Sequence, residues 1–599
     1  MTRNQCLRKI VRHESPVRSR ASLSSLLLPA ILALAFESAP LSWALEDYAL
    51  AWSTYFGGAS SWEQARDVCV DKDGNVLVVG GTASTNFPTT PGAYDRTFNA
   101  GGTALGSFGP CDVFVAKFDP SGQLLWATYL GSPNYDRAYA VEVDAQGFIY
   151  VAGRAGPGFP VTSGAVQATF QGVNAGPYGM QNAFVAKLAP DGSNLVWATY
   201  LGVGAMVRDF ALDSQGNICA ALGSDVGSGN PPAAWFTNAY QKTRQGGIES
   251  GVVKLSNDGS RVLWASWFGG SGDETSEVGV RVDAQDRVFI AGDTKSTDLA
   301  IVGAQSDASY NGGWDGFLAV FSPDGSRLLC STYLGGSGDD YVLNTHALAV
   351  DAHGNAYVHF GTLSANFPTT PGALKRTRGG PSDIGLAKIE TDTGQLLLGT
   401  YIGGSGDENP DGLYVDADGN VFLTAETTSA NFPVTTNAFQ RVKGGGADAV
   451  LVRLSADFSS ILYATFLGGT ASDKGRSGFL DADGSLYMVG TSSGPGFPVK
   501  NAWQPNFAGG SDDAIVAKFI PPNPALRILS PQHQSGSFDL LLTNLTEGIP
   551  YTVQRTESLS SPANWSNVFT WTANTNARSW DESAAGRPHG FYRARSGTP

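Results

Sequence analysis

Most of this chain consists of one unit that is present in seven copies. The most complete copy covers residues 330–388, and its parts return in the same order along the sequence. A repeated unit of this length buries its apolar surface against its neighbours, so self-similarity at a long period is a strong indicator of fold. The sequence therefore predicts one continuous array rather than several unrelated domains.

Each unit contains four short apolar segments, and the first of them ends in aromatic residues. It reads WSTYFGG at 52, WATYLGS at 126, WATYLGV at 197, WASWFGG at 264, CSTYLGG at 330, LGTYIGG at 398 and YATFLGG at 463. We expect its aromatic side chains to pack between neighbouring units.

The second and third segments flank an Asp followed by a turn, as a tight β-hairpin requires. The seven turns begin at Asp71, Asp144, Asp213, Asp283, Asp351, Asp416 and Asp481. The fourth segment is FVAK at 114 and 184, GVVK at 251, FLAV at 317, GLAK at 385, VLVR at 450 and IVAK at 515. Four strands in each of seven units predict an all-β fold, a seven-bladed β-propeller of four-stranded blades over residues 45–520.

The phase of the repeat predicts how the ring closes. The repeat begins with the aromatic segment at Trp52 and ends after the FVAK-type segment at Ile515, so the last blade lacks an aromatic strand of its own. We expect the N-terminal strand to complete that blade, because this removes an exposed sheet edge.

The two ends of the chain differ from the repeat. Residues 1–44 combine six basic residues, an apolar run at 26–36 and small residues at 42–44, which is the pattern of a secretory signal peptide. A Pro-rich linker at 521–525 precedes residues 526–599, whose short β-like runs predict a small β-sandwich. We therefore expect a secreted or cell-surface monomer without a transmembrane segment in the mature chain.

The repeat resembles a known family through TYLGGSGDD at 332, FPTTPGA at 87 and 367, the VDAxGNxYVxG hairpins and the FVAK-type segments. These motifs resemble the SBBP family of exported bacterial β-propeller repeats over about residues 48–520. The third and fourth units depart from it, since neither has Phe-Pro at the FPTT position. The resemblance implies an exported or cell-surface protein and no catalytic residues. The tail, through YTVQRTESLSSPANW at 551 and FYR at 591, resembles small immunoglobulin or fibronectin-like modules.

The composition argues against several classes of partner and cofactor. The net charge of −15 argues against nucleic acid or anionic membranes as partners. The cysteines after the leader lie at different places in different units and form no CxxC pair, so we expect free thiols; they are Cys69, Cys111, Cys219 and Cys330. The six histidines have no zinc-site spacing, and no cofactor is expected.

Acidic loops provide the one predicted metal site. The loops with paired acids lie on the same face as the FPTT loops, and Asp273, Asp339, Asp340 and Asp407 could bind a surface calcium ion. The DxDGN turns at Asp71, Asp416 and Asp481 also resemble calcium loops. They lack the Glu at the twelfth position, which favours a hairpin turn stabilised by the Asp side chain.

A polar position near the channel mouth is the best candidate binding site, because it does not repeat. Five residues before the turn Asp, the units carry Arg66, Tyr139, Arg208, Val278, His346, Asp411 and Arg476. Arginines that converge there could bind a carboxylate, a phosphate or an acidic sugar. The alternative is a set of solvated strand ends paired with Asp67 and Asp209.

Unit-specific loops are a second candidate, because recognition often uses loops on a rigid scaffold. These insertions cover residues 99–111, 171–181 and 224–250; the alternative is tolerated variation in exposed connections.

The sequence favours a non-catalytic scaffold that binds a protein or an anionic glycan on the loop face. The alternative is a channel-mouth lyase, lactonase or glycosidase acting on an acidic sugar, with Asp411 and His346 as its acid–base pair.

Overall fold

The computed structural model describes residues 48–99, 101–225, 228–275, 278–303, 307–342 and 346–521, together with six strands beyond residue 526. The predicted signal peptide lies outside the described residues, and so does all of the predicted linker except Pro521. In the described part of the repeat, seven antiparallel sheets follow one another along the chain. They confirm the all-β, seven-bladed propeller with four-stranded blades.

The first blade contains β2 (Glu63–Val70), β3 (Val76–Thr82), β4 (Asp112–Phe118) and β5 (Leu124–Leu130). The second contains β6 (Arg137–Val143), β7 (Ile149–Ala155), β8 (Val173–Asn174), β9 (Met180–Leu188) and β10 (Leu195–Tyr200). The third contains β11 (Phe210–Leu212), β12 (Ile218–Gly223), β13 (Ser250–Leu255) and β14 (Val262–Phe268). The fourth contains β15 (Gly279–Val282), β16 (Val288–Thr294), β17 (Asp315–Phe321) and β18 (Leu328–Leu334).

The fifth blade contains β19 (Asp340–Tyr341), β20 (Leu348–Val350), β21 (Ala356–Thr362), β22 (Asp383–Glu390) and β23 (Gln395–Ile402). The sixth contains β24 (Glu408–Val415), β25 (Val421–Thr427), β26 (Asp448–Leu454) and β27 (Ile461–Leu467). The seventh contains β28 (Asp473–Leu480), β29 (Leu486–Ser492), β30 (Asp513–Ile520) and the N-terminal β1 (Ala49–Phe56). Short 3-10 helices cover Gly176–Tyr178 and Ala233–Phe236.

Ring closure occurs as the repeat phase predicts. Strand β1 pairs antiparallel with β30, with Trp52 opposite Lys518 and Phe56 opposite Ala514. The N-terminal strand is therefore the outer strand of the seventh blade, and it covers an edge that would otherwise be free to pair with another chain.

The apolar cores lie between neighbouring blades. One cluster combines Trp126 and Val113 of the first blade with Phe184 and Leu188 of the second. Central strands such as β3 are buried along their whole length, because a blade is covered on both faces. The aromatic segment therefore packs between blades, as predicted.

The repeated polar residues hold the turns. Asp71 Oδ1 accepts hydrogen bonds from the backbone N–H groups of Asp73 and Asn75, both at 2.9 Å. Lys117, the last residue of an FVAK segment, lies with its Nζ 2.8 Å from Asp71 Oδ2. The same pairing recurs as Lys187–Asp144, Lys254–Asp213 and Lys388–Asp351. At Asp71 the turn is therefore the hairpin that the sequence favours over a calcium loop.

The tyrosine of the aromatic segment anchors the loop that contains Phe-Pro. Tyr401 Oη donates to the carbonyl of Ser364 and accepts from the backbone N–H of Phe367, both at 2.8 Å. The corresponding donors in other units are Tyr55, Tyr129, Tyr200 and Tyr333.

The four cysteines at 69, 111, 219 and 330 are buried free thiols, as predicted. Among the residues that the structure describes, no helix is long and apolar enough to span a membrane.

The C-terminal region contributes two three-stranded sheets. One combines β31 (Arg527–Gln534), β32 (Ser537–Thr543) and β35 (Ala577–Ser583). The other combines β33 (Pro550–Thr556), β34 (Ser566–Thr572) and β36 (Phe591–Ser596). The elements described there are β-strands, and their packing as a sandwich remains a prediction.

Candidate functional site

The candidate position coincides with a β-bulge in four of the innermost strands. In β2 the register shifts between Ala65 and Asp67, so Arg66 has no residue opposite it on β3. The same shift occurs at Tyr139, Asp411 and Arg476. A bulge inserts one residue and redirects its side chain, which explains why this position departs from the alternation of its strand.

Four guanidinium groups surround the ring of Tyr139, and we call Arg66, Arg137, Arg154 and Arg208 the arginine cage. Their Cζ atoms lie 5.6, 5.5, 5.3 and 4.4 Å from the ring centroid, in that order. Tyr139 itself is only 1% exposed. These residues come from the first three blades, so the structure brings Arg66, Tyr139 and Arg208 together as predicted.

Two of the unit-specific loops cover the cage. Tyr178, in the insertion 171–181, lies with its ring centroid 3.9 Å from Arg154 Cζ. Phe108, in the insertion 99–111, packs against the Tyr178 ring at a centroid distance of 5.1 Å. The two candidates from the sequence, the channel position and these loops, therefore form one site.

Neutral groups are the hydrogen-bond partners of the two most buried cage arginines. Arg137, 4% exposed, donates to the Tyr135 hydroxyl at 3.4 Å and to Gln64 Oε1. Arg154, 3% exposed, donates to Met206 Sδ at 2.8 Å. Both Nε atoms and Arg154 Nη1 have no hydrogen-bond partner among the described residues. The cage therefore contains buried positive charge and N–H donors that have no acceptor among the described residues.

The electrostatics of Tyr139 reflect this excess charge. Burial opposes ionisation of its hydroxyl group, but Arg154, Arg137, Arg208 and Arg66 outweigh burial and lower the pKa of Tyr139 to about 8. The pKa of Arg66 lies well below its usual range because of burial and its neighbouring arginines. A negative charge is thus favoured at the cage and a further positive charge is disfavoured.

Asp411 and Arg476 lie beside the cage. Arg476 Nη1 is 3.6 Å from Asp411 Oδ2. Burial raises the pKa of Asp411 to about 7, although Arg476 and Arg66 act in the opposite direction. This carboxyl group consequently offsets less of the positive charge than a surface aspartate would.

His346 belongs to a second polar cluster, together with Asp67, Asp209 and Arg281. His346 Nε2 lies 2.9 Å from Asp67 Oδ1, and Arg281 bridges His346 Nδ1 at 2.9 Å and Asp209 Oδ2 at 2.7 Å. Burial lowers the pKa of His346, but the two carboxylates outweigh it and raise the pKa above its ordinary value.

The structure differs from the sequence-based expectations for the acids of this region. Asp67 and Asp209 are buried rather than solvated, and they contact His346 and Arg281. His346 accordingly lies against these aspartates rather than in a pair with Asp411 alone. Val278, at the same repeat position, is fully buried in an apolar cluster.

The four predicted calcium ligands lie in different environments. Asp273 and Asp339 accept hydrogen bonds from the backbone N–H groups of Ile248 and Trp314, at 3.0 and 2.8 Å, and Asp407 is exposed. Asp340, in contrast, is fully buried. Within the described ranges, no group of three or more Asp, Glu, His or Cys side chains is arranged to bind a metal. A surface calcium site stays a prediction.

The sequence analysis missed Arg137 and Arg154, which complete the cage. They lie opposite each other on β6 and β7. Arg154 occupies the position that Gly81 has in the first blade, so it is also a feature found in a single unit. Applying the same comparison of units to the second strand would have found it.

Comparison with known proteins supports the repeat and the fold. The family model for the SBBP β-propeller repeat matches residues 51–88. A curated relative, the regulatory protein FlaEY of Caulobacter vibrioides, is 24% identical over 296 residues. That alignment covers 48% of this chain and 29% of FlaEY.

Several solved structures share low similarity with this chain. A protein of unknown function from Dyadobacter fermentans DSM 18053 is 11% identical with a TM-score of 0.38, over 79% of this chain and 99% of its own. A PL25 ulvan lyase bound to -[GlcA(1-4)Rha3S]- is 11% identical with a TM-score of 0.41, over 79% and 96%. BamB from Moraxella catarrhalis is 13% identical with a TM-score of 0.31, over 79% and 99%. At these scores the similarities carry no argument about activity.

Proposed function

We propose that this protein is an exported, non-catalytic propeller that binds an acidic glycan at the arginine cage. The observation that carries the proposal is the set of four guanidinium groups around Tyr139, two of them almost fully buried with neutral partners. The remaining expectations, a cell-surface or secreted location and a monomeric state, rest on the leader-like residues 1–44 and the repeat pattern.

Buried charge explains why an anion suits this site. A guanidinium group that leaves water loses several kcal/mol of hydration, and the loss is recovered only through a counter-charge with good hydrogen bonds. Arg137 and Arg154 offer donor atoms without partners in the described residues. A carboxylate or sulfate group would satisfy them with charge-assisted and often bidentate hydrogen bonds.

The aromatic cover suits a sugar as the carrier of that charge. Tyr178 and Trp62 lie over Arg154 and Arg137, at 3.9 and 5.7 Å from ring centroid to Cζ. Amphipathic rings beside a few polar anchors are typical of ligand sites, because the rings contribute apolar contact and the polar groups fix orientation. An acidic protein segment lacks rigid ring faces, so we favour a uronic acid or sulfated sugar.

Calorimetric titration of the full chain tests this proposal, with oligoglucuronate as the probe and a neutral oligosaccharide of equal length as the reference. The double variant Arg137→Gln/Arg154→Gln should bind oligoglucuronate at least tenfold more weakly, since one hydrogen bond to a charged group contributes about 1.5–3 kcal/mol. The control Arg261→Gln, at an exposed residue, should leave the affinity unchanged.

Thermal stability separates binding arginines from structural ones. Removing like charges from the cage relieves repulsion, so the double variant should melt no lower than the parent protein in the absence of ligand. Equal affinity for the charged and the neutral oligosaccharide, or unchanged affinity in the double variant, would refute the proposal.

A polyuronide lyase is a second candidate, and the position of Tyr139 among the guanidinium groups favours it. A Tyr139 phenolate could remove the proton from the carbon next to a uronate carboxylate, which the arginines would neutralise. A C=C bond then forms and the glycosidic C–O bond breaks, so the leaving sugar departs with the electron pair and takes up a proton. Absorbance of the unsaturated product should appear with the parent protein and vanish in Tyr139→Phe, while binding persists. If no polyuronide yields an unsaturated product, the lyase is refuted and the binding function remains.

A further inference from the structure

A pair of fully buried carboxyl groups lies at six of the seven junctions between consecutive blades in the described residues, and we call them the junction acids. At each junction, one acid comes from the start of the third strand of a blade, and the other from the start of the innermost strand of the next. The pairs are Asp513 with Glu63, Asp112 with Asp136, Glu249 with Glu274, Asp315 with Asp340, Asp383 with Glu408, and Asp448 with Asp473.

At four of the junctions the two acids of the pair face the same glycine, which follows the aromatic segment; these glycines are Gly57, Gly269, Gly335 and Gly403. A Cβ atom built on Gly57 would lie 2.5 Å from both Asp513 Oδ1 and Glu63 Oε2. These two oxygens are therefore at most about 5 Å apart, which is twice a calcium–oxygen distance of about 2.3–2.6 Å. A Cβ would also fall within 3.0 Å of a junction acid at Gly131, Gly269, Gly335, Gly403 and Gly468.

Such a pair cannot remain doubly ionised without a compensating positive charge. Two carboxylates in a buried site either share a proton or hold a cation, because like charges at this distance repel strongly in a medium of low dielectric constant. Several oxygen atoms of the pairs have no hydrogen-bond partner among the described residues. They are Asp112 Oδ1, Asp315 Oδ1, Asp340 Oδ1, Asp473 Oδ1 and Asp513 Oδ1, and they belong to four different junctions.

One junction contains a cation that belongs to the chain itself. Between the fifth and sixth blades, Lys375 Nζ lies 2.7 Å from Asp383 Oδ2 and 2.8 Å from the carbonyl oxygen of Gly403. No side-chain oxygen of Asp383 or Glu408 lacks a partner in the part of the chain described here. The ammonium group thus shows where a positive charge binds and which oxygens it uses.

A lysine occurs at the position of Lys375 in the fifth blade only. The carbonyl of Lys375 accepts the backbone N–H of Tyr401 in the aromatic segment, and the residue in the same role in the seventh blade is Gln504, opposite Tyr55. In the other blades, the carbonyl that accepts this hydrogen bond belongs to Asp95, Gln167, Gln241, Asp307 or Gln440. The remaining pairs therefore have no lysine at this position.

The junction between the second and third blades lacks an acid pair and shows the converse arrangement. Asn182 replaces the first acid, and Ala205 stands where the second would be. The Asn182 amide donates to the carbonyl of Gly202, the counterpart of Gly403, at 3.3 Å. Where the acids are absent, a neutral donor thus contacts the carbonyl that Lys375 contacts elsewhere.

We propose that the four junctions with an acid oxygen that lacks a partner among the described residues bind calcium, with ligand oxygens from both junction acids and from the glycine carbonyl. Calcium prefers carboxylate and carbonyl oxygens and completes its shell with water. The ion would connect the third strand of one blade to the innermost strand of the next, so it would stabilise the ring against opening. These positions differ from the predicted surface site. Of its four ligands, Asp273, Asp339, Asp340 and Asp407, only Asp340 is a junction acid.

Two reciprocal substitutions in the full chain test the proposal through the number of calcium ions bound, measured by equilibrium dialysis. Lys375→Gln should add one calcium ion per chain, and Gln504→Lys should remove one. The control Lys72→Gln makes the same chemical change at an exposed residue of a turn and should leave the number unchanged.

Melting curves provide an independent readout. Calcium should raise the melting temperature of the parent protein, whereas sodium chloride at equal ionic strength should not. If Lys375→Gln folds poorly, calcium should restore its melting temperature, and Gln504→Lys should melt higher than the parent protein in a chelator. No bound calcium at millimolar concentration, or a melting temperature that responds to pH alone, would overturn the proposal in favour of a shared proton.

Discussion

Replacing Tyr139 by Phe removes an ionisable hydroxyl group from the arginine cage and leaves the ring in place. The cage lowers the pKa of this hydroxyl to about 8, from 10.0 for an isolated tyrosine. The folded protein therefore releases the proton at a lower pH than the unfolded chain does. This difference makes the unfolding free energy of the parent protein depend on pH in a way that the variant cannot reproduce.

The magnitude and the sign follow from linkage. Two units of pKa correspond to about 2.7 kcal/mol, because one unit corresponds to about 1.36 kcal/mol. The folded pKa is depressed, so this stabilisation is fully present above pH 10 and is lost as the pH falls through 8. The unfolding free energy of the parent protein minus that of Tyr139→Phe should therefore rise by about 2.7 kcal/mol between pH 7 and 11.

Urea unfolding followed by fluorescence across this pH range measures the difference directly. Tyr135→Phe is the matched control, because burial raises the pKa of this neighbouring tyrosine and its removal should cause no such rise. A difference between the parent protein and Tyr139→Phe that stays constant from pH 7 to 11 would refute the excess positive charge of the cage. Saturating oligoglucuronate should also flatten the curve, since a bound anion neutralises the arginines.

Three further predictions concern the scaffold. Deleting residues 45–57 removes the strand that closes the ring and exposes a sheet edge, so size exclusion with light scattering should show oligomers; a monomer with unchanged melting would contradict this. Tyr401→Phe leaves two buried backbone groups without a partner and should lower the unfolding free energy by about 1–3 kcal/mol in urea titrations. Lys117→Met should cost about 1–3 kcal/mol by leaving Asp71 without its buried ion pair. The exposed Lys72→Met should change stability by less than about 0.5 kcal/mol, and equal effects at both lysines would contradict the burial argument.

The sequence alone predicted the propeller because every level of its pattern agrees. Seven copies of four apolar segments set the number of blades, and the phase between Trp52 and Ile515 set the closing strand. These features follow from backbone hydrogen bonding and burial, which are local properties repeated along the chain. The pairing of β1 with β30 confirms the closure.

The candidate site was predicted only in part, because contacts between blades depend on side-chain direction. The repeat position identified Arg66, Tyr139 and Arg208, which do converge. It could not show that a bulge redirects the side chains of Arg66 and Tyr139, nor that Arg154 on the second strand of the second blade reaches the same ring. The contacts of His346 were not predicted for the same reason, since Asp67 and Asp209 lie on other blades.

The calcium proposal assigns a ligand-binding role to residues that repeat, beside their role in the scaffold. A carboxyl group that recurs at six of the seven junctions can be structural and still bind an ion, because equivalent junctions present the same arrangement of oxygen atoms. The informative unit is then the one that deviates, and Lys375 supplies a charge at the place where the other pairs have none of their own. The arginine cage buries positive charge, and the junction acids bury negative charge. A buried charge in this ring needs a partner, and where the chain does not provide one, we expect a ligand to do so.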